Sequence, residues 1–271
     1  MESTELGKQS TLFPEVGTFT EYEQPLNERV RNCLRLEHLF ATIQDGCKGG
    51  SQWSARAAIV GMLEASDMLA RTDIKGDLIK ELDRHSSKIS RFNDNPKVDQ
   101  ETLGSVLATV QALLIKLKSS DCHPGEIIRT DELINQVRQR ISIPGGSCNF
   151  DLPAFHHWLS KSPDLRADQF QHWIADLLVI EQAVALVLQM LRQSAPPRCI
   201  PVENGFFQQQ LDPGIRYQLI RVSIADNLGV FPEISGGKHR FVIRFLRQPH
   251  TVGRPTPARE SLSFDLQCCG I

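Results

Sequence analysis

The chain has 271 residues, of which 41% are hydrophobic and 23% are charged, as in an ordinary folded globular protein. A chain of this length buries enough apolar surface to fold without disulfides or metals, so collagen-like, disordered and disulfide-scaffold classes are excluded. The formal net charge is −2, which excludes a strong overall field that would steer the protein to nucleic acid or an anionic membrane. Residues 192–271 nevertheless hold 10 basic and 6 acidic residues, so two regions with different roles are expected.

The first part of the chain is predicted to be mainly helical. Residues 1–17 lack periodicity and are predicted to form a disordered tail, followed by a short strand over residues 18–23. Apolar side chains then recur every three or four residues, the spacing of one helical face. This spacing predicts helices over residues 26–43, 53–71, 73–92, 99–118 and 130–140, with further helices beginning at Pro153 and Pro163. Thr130 is expected to cap the fifth helix.

The longest apolar segment runs from Ile174 to Leu191 and raises the question of a membrane span. It contains Asp176, Glu181 and two glutamines, which are too many polar groups for a span. A buried or oligomer-forming helix is therefore predicted, and no membrane partner.

After residue 197 the apolar period changes from 3.6 to 2, which is typical of half-solvated antiparallel strands. Strands are predicted over residues 221–224, 240–245 and 261–268. The inward side chains are expected to be Phe241, Ile243 and Phe245 on the second of these strands, and Leu262, Phe264, Leu266 and Cys268 on the third.

The fold class that follows is α+β: a mainly helical domain over residues 25–195 and a smaller antiparallel β domain over residues 198–269. The short strands at residues 18–23 and Ser147–Phe150 are expected to join the β domain, which would make it partly discontinuous in sequence.

Motifs for chemistry are mostly missing from the sequence. Lys238 follows two glycines, but Pro232 and His239 stand where a phosphate-binding loop needs Gly and Ser or Thr, so a hairpin turn is predicted. Cys268 and Cys269 are adjacent, and neighbouring strand side chains face opposite ways. We therefore predict no catalytic residues, no metal site and no cofactor. No signal-peptide pattern is seen, so reduced thiols in the cytoplasm are expected.

The positive signal is a set of basic residues on the predicted strands. Arg240 and Arg244 share one face about 13 Å apart, Arg221 is expected on the solvent side of another strand, and Lys238 is close in sequence. Such a face is either merely solvated or pairs with the carboxylates or phosphates of a ligand. Few aromatic residues interleave with these arginines, which disfavours nucleic acid.

Several sequence blocks along the chain belong together. They read YEQPLNERVRNCLRLEHLF (22–40), LIKELDRH (78–85), VRQRISIPGGSCNFDLPAFHHWL (137–159), LRQSAP (191–196), PEISGGKHRFVIRF (232–245) and FDLQCC (264–269). In this order and spacing, over about residues 20–269, the chain resembles the ZapD family of bacterial cell-division proteins.

The resemblance implies a non-enzymatic homodimer that binds the C-terminal tail of FtsZ and bundles its filaments. It places the protein in the cytoplasm, at midcell with the Z-ring. Family residues implicated in tail binding correspond to Arg240 and Arg244 in KHRFVIRF, and to Arg71, seven residues before LIKELDRH. With Arg221 and Lys238 these form the expected site. No nucleic-acid partner is expected, but two other classes stay open: a nucleic-acid-binding protein that uses the same basic face, and a thiol- or zinc-dependent enzyme.

Overall fold

Helices make up most of the first two thirds of the chain in the computed structural model, which describes residues 18–92 and 99–270. The predicted disordered tail over residues 1–17 lies outside the described residues. The helices are α1 (Glu28–Lys48), α2 (Gln52–Arg71), α3 (Ile74–Ile89), α4 (Gln100–Lys118), α5 (Glu126–Thr130), α6 (Glu132–Arg140), α7 (Pro153–Leu159), α8 (Pro163–Ile174) and α9 (Leu178–Arg192). A 3₁₀ turn at Ser90–Phe92 follows α3.

The first two helices form a tightly packed antiparallel pair. The Asn27 side chain caps α1 by accepting a hydrogen bond from the Val30 N–H. The helix continues through Gly46. A Cβ at that position would lie only 2.6 Å from the Ser54 carbonyl oxygen and 2.7 Å from the Ala58 Cβ. Glycine therefore allows a close approach of the two backbones here and does not end the helix.

The prediction that Thr130 caps a helix is wrong. Thr130 ends α5, and its hydroxyl donates to the Glu126 carbonyl at 3.0 Å. The cap of α6 is Asp131, whose Oδ1 accepts from the Ile134 N–H at 2.9 Å. Its Oδ2 accepts from the Trp173 indole N–H at 2.7 Å. The two carboxylate oxygens of Asp131 accept from both donors at once, while the Thr130 hydroxyl donates within α5.

The predicted strand at Ser147–Phe150 is also wrong, because this segment forms consecutive turns. The Cys148 N–H donates to the Gly145 carbonyl at 3.0 Å. The Arg56 guanidinium donates to both the carbonyl and the hydroxyl of Ser147, at 3.0 and 2.9 Å. These bonds within the turns and to α2 replace the strand pairing that the alternating sequence predicted.

In the long apolar segment, Ile174 ends α8 and residues 178–191 lie in α9. Among the described residues no single helix is long and apolar enough to cross a membrane, although α8 and α9, bent by 74°, meet that criterion as a pair by length and composition. The buried side chains of α9 are Ile180, Ala183, Val184, Val187, Leu188 and Leu191. They pack in the core formed by the helices.

The strands are β1 (Phe19–Pro25), β2 (Arg198–Val202), β3 (Phe206–Gln210), β4 (Tyr217–Ala225), β5 (Phe231–Gly236), β6 (Arg240–Arg247), β7 (Thr256–Pro257) and β8 (Leu262–Gly270). One sheet has the order β1-β4-β8-β2, and the other has the order β3-β6-β5 with β7 also paired to β6. Residues 18–24 and 195–270 form one compact unit, the β unit, and residues 25–194 form a second, the helical unit. The α+β fold class is confirmed.

Aromatic rings fill the space between the two sheets of the β unit. The Phe207 and Phe245 rings of one sheet lie 5.6 and 4.9 Å from the Phe264 ring of the other. Phe207 also lies 6.1 Å from Phe241 on the neighbouring strand. Offset and edge-on ring contacts at these separations are favourable beyond the area that they bury, so they fix which face of each strand points inward.

The expected inward position of Cys268 is wrong. Leu262, Phe264 and Leu266 are buried as predicted, but Cys268 is only half-buried and Cys269 is fully buried. Cys269 is paired with the buried Leu219 of β4, next to a register irregularity between Tyr217 and Leu219. The simple alternation therefore fails near the end of β8.

Candidate functional site

Strand β6 carries the most prominent of the predicted side chains. Its Phe241, Ile243 and Phe245 are completely buried, and they face the aromatic core. Because successive side chains of a strand point to opposite faces, Arg240 and Arg244 must point outward, and both are exposed. The sequence prediction of a buried and a basic face on this strand is confirmed.

The outward side chains form a surface that we call the basic strip: Arg240, Val242 and Arg244 of β6, with Lys238 in the preceding turn. On one side β3 places Gln210, Gln208 and Phe206 opposite Arg240, Val242 and Arg244. On the other side β5 places Ser235 and Glu233 opposite Val242 and Arg244. A shallow cleft of about 810 Å³, with Lys238, Arg240 and Arg244 in its lining, lies along the β5–β6 hairpin.

The charges of the basic strip have no partner in the part of the chain that the structure describes. Within residues 18–92 and 99–270, no side chain forms an ion pair or hydrogen bond with Lys238, Arg240 or Arg244. Glu233 is opposite Arg244 in the ladder and reduces the local positive charge, but the two side chains form no ion pair. The arginines are therefore available to carboxylates or phosphates from outside.

Arg221 does not lie beside the other strand residues of the expected site. It lies on β4, in the other sheet, and its side chain is only 14% exposed. Its Nε donates to Glu23 at 2.7 Å, and its terminal nitrogens bond Gln267, at 2.8 Å, and Glu21. Arg221 lies on the less buried face of β4, as expected, but the carboxylates of the neighbouring strand β1 pair with its guanidinium. The basic strip does not include it.

Arg71 belongs to the helical unit, at the C-terminal end of α2. Its side chain is 80% exposed and forms a long ion pair, 3.8 Å, with Asp67 one turn earlier. The adjoining residues line a cleft of about 310 Å³, together with Lys75, His123 and Arg129. This is a second basic surface, on a different unit from the basic strip.

Metal and thiol chemistry require clustered ligands and accessible thiolates. Among the described residues no cluster of three or more His, Cys, Asp or Glu side chains could hold a metal ion. Burial raises the pKa of the Cys33 thiol to about 12 and that of Cys47 to about 11. Both thiols are thus protonated and poorly nucleophilic near neutral pH.

Sequence reasoning missed β3, which flanks the basic strip. Its sequence, FFQQQ, has little polarity contrast between its faces. The available signal was Asn204–Gly205, a pair typical of tight turns; both residues have positive φ, 58° and 61°. A Cβ at Gly205 would lie 2.4 Å from the Ala258 carbonyl oxygen, so glycine is needed where the chain enters β3.

Comparison with known proteins identifies close relatives. The family model described as cell division protein ZapD matches residues 34–244. Proteins named cell division protein ZapD are 38% identical over 248 residues in Methylococcus capsulatus, covering 92% of this chain and 97% of that protein, and 37% identical over 254 residues in Nitrosomonas eutropha, covering 92% and 99%. The protein of that name from Coxiella burnetii is 34% identical over 259 residues, covering 94% and 100%.

Proposed function

Because the chain belongs to the ZapD family of cell-division proteins, we propose that it binds the C-terminal tail of FtsZ and cross-links FtsZ filaments. Membership of this family gives the chain a role in cell division. The proposal adds the partner, the binding surface and the mechanism. It places the protein in the cytoplasm, at midcell with the Z-ring, and assigns it no enzymatic activity.

The observation that carries the proposal is that Arg240 and Arg244 have no side-chain partner within residues 18–92 and 99–270. Two exposed arginines on one strand are directed outward because Phe241 and Ile243, which lie between them, are buried on the opposite face. A flexible tail that bears carboxylates can form charge-assisted, bidentate hydrogen bonds with them. Lys238 adds a third positive charge at the end of the strip.

Cross-linking requires two tail sites in one particle. A homodimer with two-fold symmetry supplies two equivalent sites, and each site can bind weakly, because the many tails along a filament raise the effective concentration. We therefore propose that the protein acts as a homodimer. Light scattering should give about twice the 30.4 kDa chain mass, and a monomer at micromolar concentration would contradict cross-linking by this route.

The proposed site is tested by titrating an FtsZ tail peptide into wild type, Arg240→Glu and Arg244→Glu. Each reversal removes a charge-assisted contact that is typically about 1.5–3 kcal/mol, so affinity should fall roughly ten- to a hundredfold. Arg254→Glu is the matched control, since Arg254 is an exposed arginine of the same unit outside the basic strip. Unchanged affinity in both folded strip variants would show that the site is elsewhere.

A pelleting assay tests the partner and the mechanism. Filaments of intact FtsZ should pellet as bundles with this protein, and filaments of FtsZ without its tail should not. An oligonucleotide of equal charge separates the alternative of nucleic-acid binding: the tail peptide should bind more tightly. Arg71→Ala is a further variant, chosen from the family resemblance. Arg71 is 80% exposed and is paired with Asp67, so a smaller loss of affinity is expected for it.

A further inference from the structure

Strand β3 forms an open edge of the sheet that carries the basic strip. It pairs with β6 on one side, and no strand among residues 18–92 and 99–270 pairs with its other side. The Phe245 N–H donates to the Gly205 carbonyl at 2.8 Å, and the Leu211 N–H donates to the His239 carbonyl at 2.9 Å. In an antiparallel ladder every second residue pair is hydrogen-bonded. The backbone groups of Phe207 and Gln209 therefore also bond β6.

The intervening residues of β3 therefore direct their backbone groups away from the sheet. These residues are Phe206, Gln208 and Gln210. In the part of the chain that the structure describes, their outward N–H and C=O groups have no hydrogen-bond partner. The side chains of all three are exposed, and Phe206 is 50% exposed.

The other sheet edges carry features that oppose strand addition. Strand β5 contains Pro232. The Gly237 N–H donates to the Arg240 carbonyl, and bonded residues alternate along an antiparallel strand. The backbone of Pro232 therefore faces away from β6, toward the open side of the sheet. Strand β2 contains Pro201, and β1 carries Glu21 and Glu23. Proline and charge are the usual means by which proteins protect an edge. Strand β3 has neither.

We propose that the free edge of β3 binds an acidic peptide in an extended conformation, as an added strand. The outward backbone groups of Phe206, Gln208 and Gln210 would bond the peptide main chain, as in other cases of strand addition. This inference rests on the proposed function and specifies how the acidic tail is held.

The basic strip supplies the charge complementarity for this occupant. An added strand lies two strand spacings from β6, about 9.5 Å, which an arginine and an acidic side chain can span together. Arg240 is level with Gln210, and Arg244 is level with Phe206. Carboxylates four residues apart, on the peptide face that shares the outer side of the sheet, would therefore meet one arginine each.

A second copy of the chain fits the same edge less well. Pairing β3 with β3 of another copy would place two basic strips on one continuous sheet face, with only Glu233 of each copy to offset their charge. Like charges on one face disfavour this assembly. The acidic peptide is thus the occupant that the charges favour.

The test replaces Gln208 and measures binding of the FtsZ tail peptide by titration. Gln208→Pro removes an outward N–H and crowds the edge, while the bonds between β3 and β6 are retained because they come from the neighbouring residues. Gln208→Val is the matched control, since it changes the side chain and keeps the N–H. We expect at least a tenfold loss of affinity for Gln208→Pro and less than a twofold change for Gln208→Val.

A second measurement uses the unmodified protein and two modified peptides. In one peptide every second amide is N-methylated, and in the other the alternate set is methylated. In an added strand only every second N–H of the peptide faces β3. The peptide methylated at those amides should lose at least tenfold in affinity, and the other peptide should retain its affinity. Equal affinity of the two peptides would overturn the proposal even if Gln208→Pro failed to fold.

The outcomes separate this inference from the function on which it rests. If Gln208→Pro binds as wild type while Arg240→Glu does not, strand addition is wrong and tail binding stands. If the wild-type protein fails to bind the tail peptide, both strand addition and the proposed function are wrong. If Gln208→Pro abolishes self-association and leaves peptide binding unchanged, the edge binds a second copy and the proposal is overturned.

Discussion

The two sheets of the β unit use arginine in opposite ways. Arg221 on β4 is 14% exposed and held by Glu21 and Glu23, whereas Arg240 and Arg244 on β6 point outward with no partner among the described residues. The difference lies in the adjacent strands. Strand β1 places two carboxylates within bonding distance of Arg221. Beside the basic strip, β3 has amides and a phenyl ring, and Glu233 of β5, opposite Arg244, forms no ion pair with it. A strand arginine is available to a ligand where the adjacent side chains do not pair with its charge.

The helical unit shows the same contrast along a single helix, α3. Glu81 is 2% exposed and accepts hydrogen bonds from Arg29 at 3.1 Å and Arg84 at 2.6 Å. The pKa of Arg29 is raised, chiefly by its hydrogen bond to Glu81. Two residues later, Asp83 pairs with Lys118 at 3.1 Å in an exposed ion pair. One carboxylate stabilises the fold and the other is largely screened by solvent.

The largest effect is expected from breaking the buried cluster. Glu81→Ala leaves the partly buried Arg84 without its carboxylate and Arg29 with only Asp77 as a partner, and should lower the free energy of unfolding by about 3 kcal/mol. Asp83→Ala, the matched control on the same helix, should lower it by less than about 1 kcal/mol. Chemical denaturation of both variants measures the difference. Equal losses would mean that burial does not distinguish the two ion pairs.

The next effect compares the two kinds of strand arginine directly. Arg221→Ala removes several charge-assisted hydrogen bonds, and should cost about 2 kcal/mol of stability with tail binding preserved. Arg240→Ala should stay within about 0.5 kcal/mol of wild-type stability and lose tail affinity. Thermal unfolding and peptide titration of the same two samples test whether Arg221→Ala loses only stability and Arg240→Ala loses only affinity. Loss of both properties in either variant would contradict the division of roles.

The sequence predicts local periodicity well and distant partners poorly. The helical stripes of α1 and α4 and the alternation of β6 are confirmed, because each depends on residues close together in the chain. The carboxylate partners of Arg221 are about 200 residues away, and nothing near Arg221 in sequence signals them. The residues Ser147–Phe150 alternate like a strand, yet Arg56 of α2 bonds this segment as a turn.

The candidate site follows the same division. Arg240 and Arg244 could be predicted, because buried aromatic and aliphatic residues between them fix their direction. The absence of internal partners within the described ranges could not be predicted, since it depends on which strands lie beside β6. The open edge of β3 likewise depends on strand order, which short-range patterns do not encode.

The smallest effect concerns His85, a neutral buried group beside the Glu81 cluster. His85 is buried, and its Nε2 has no hydrogen-bond partner among the described residues. Burial lowers its pKa to about 4, although the charge of Glu81 acts in the opposite direction. In the unfolded chain the pKa is about 6.5. The unfolded state therefore binds the proton more readily, and stability falls as pH decreases from about 6.5 toward 4.

His85→Leu removes this titration while keeping an apolar side chain of similar size. Between pH 7 and 5.5 the wild type should lose about 1 kcal/mol more stability than the variant, since each pH unit below 6.5 contributes about 1.4 kcal/mol. His157→Leu, a replacement of an exposed histidine on α7, should keep the pH dependence of the wild type. Denaturation at both pH values measures the slopes. If His85→Leu and His157→Leu gave the same slope, His85 would have to be accessible to protons in the folded state, and the separation between buried and solvent-facing groups would not hold in α3.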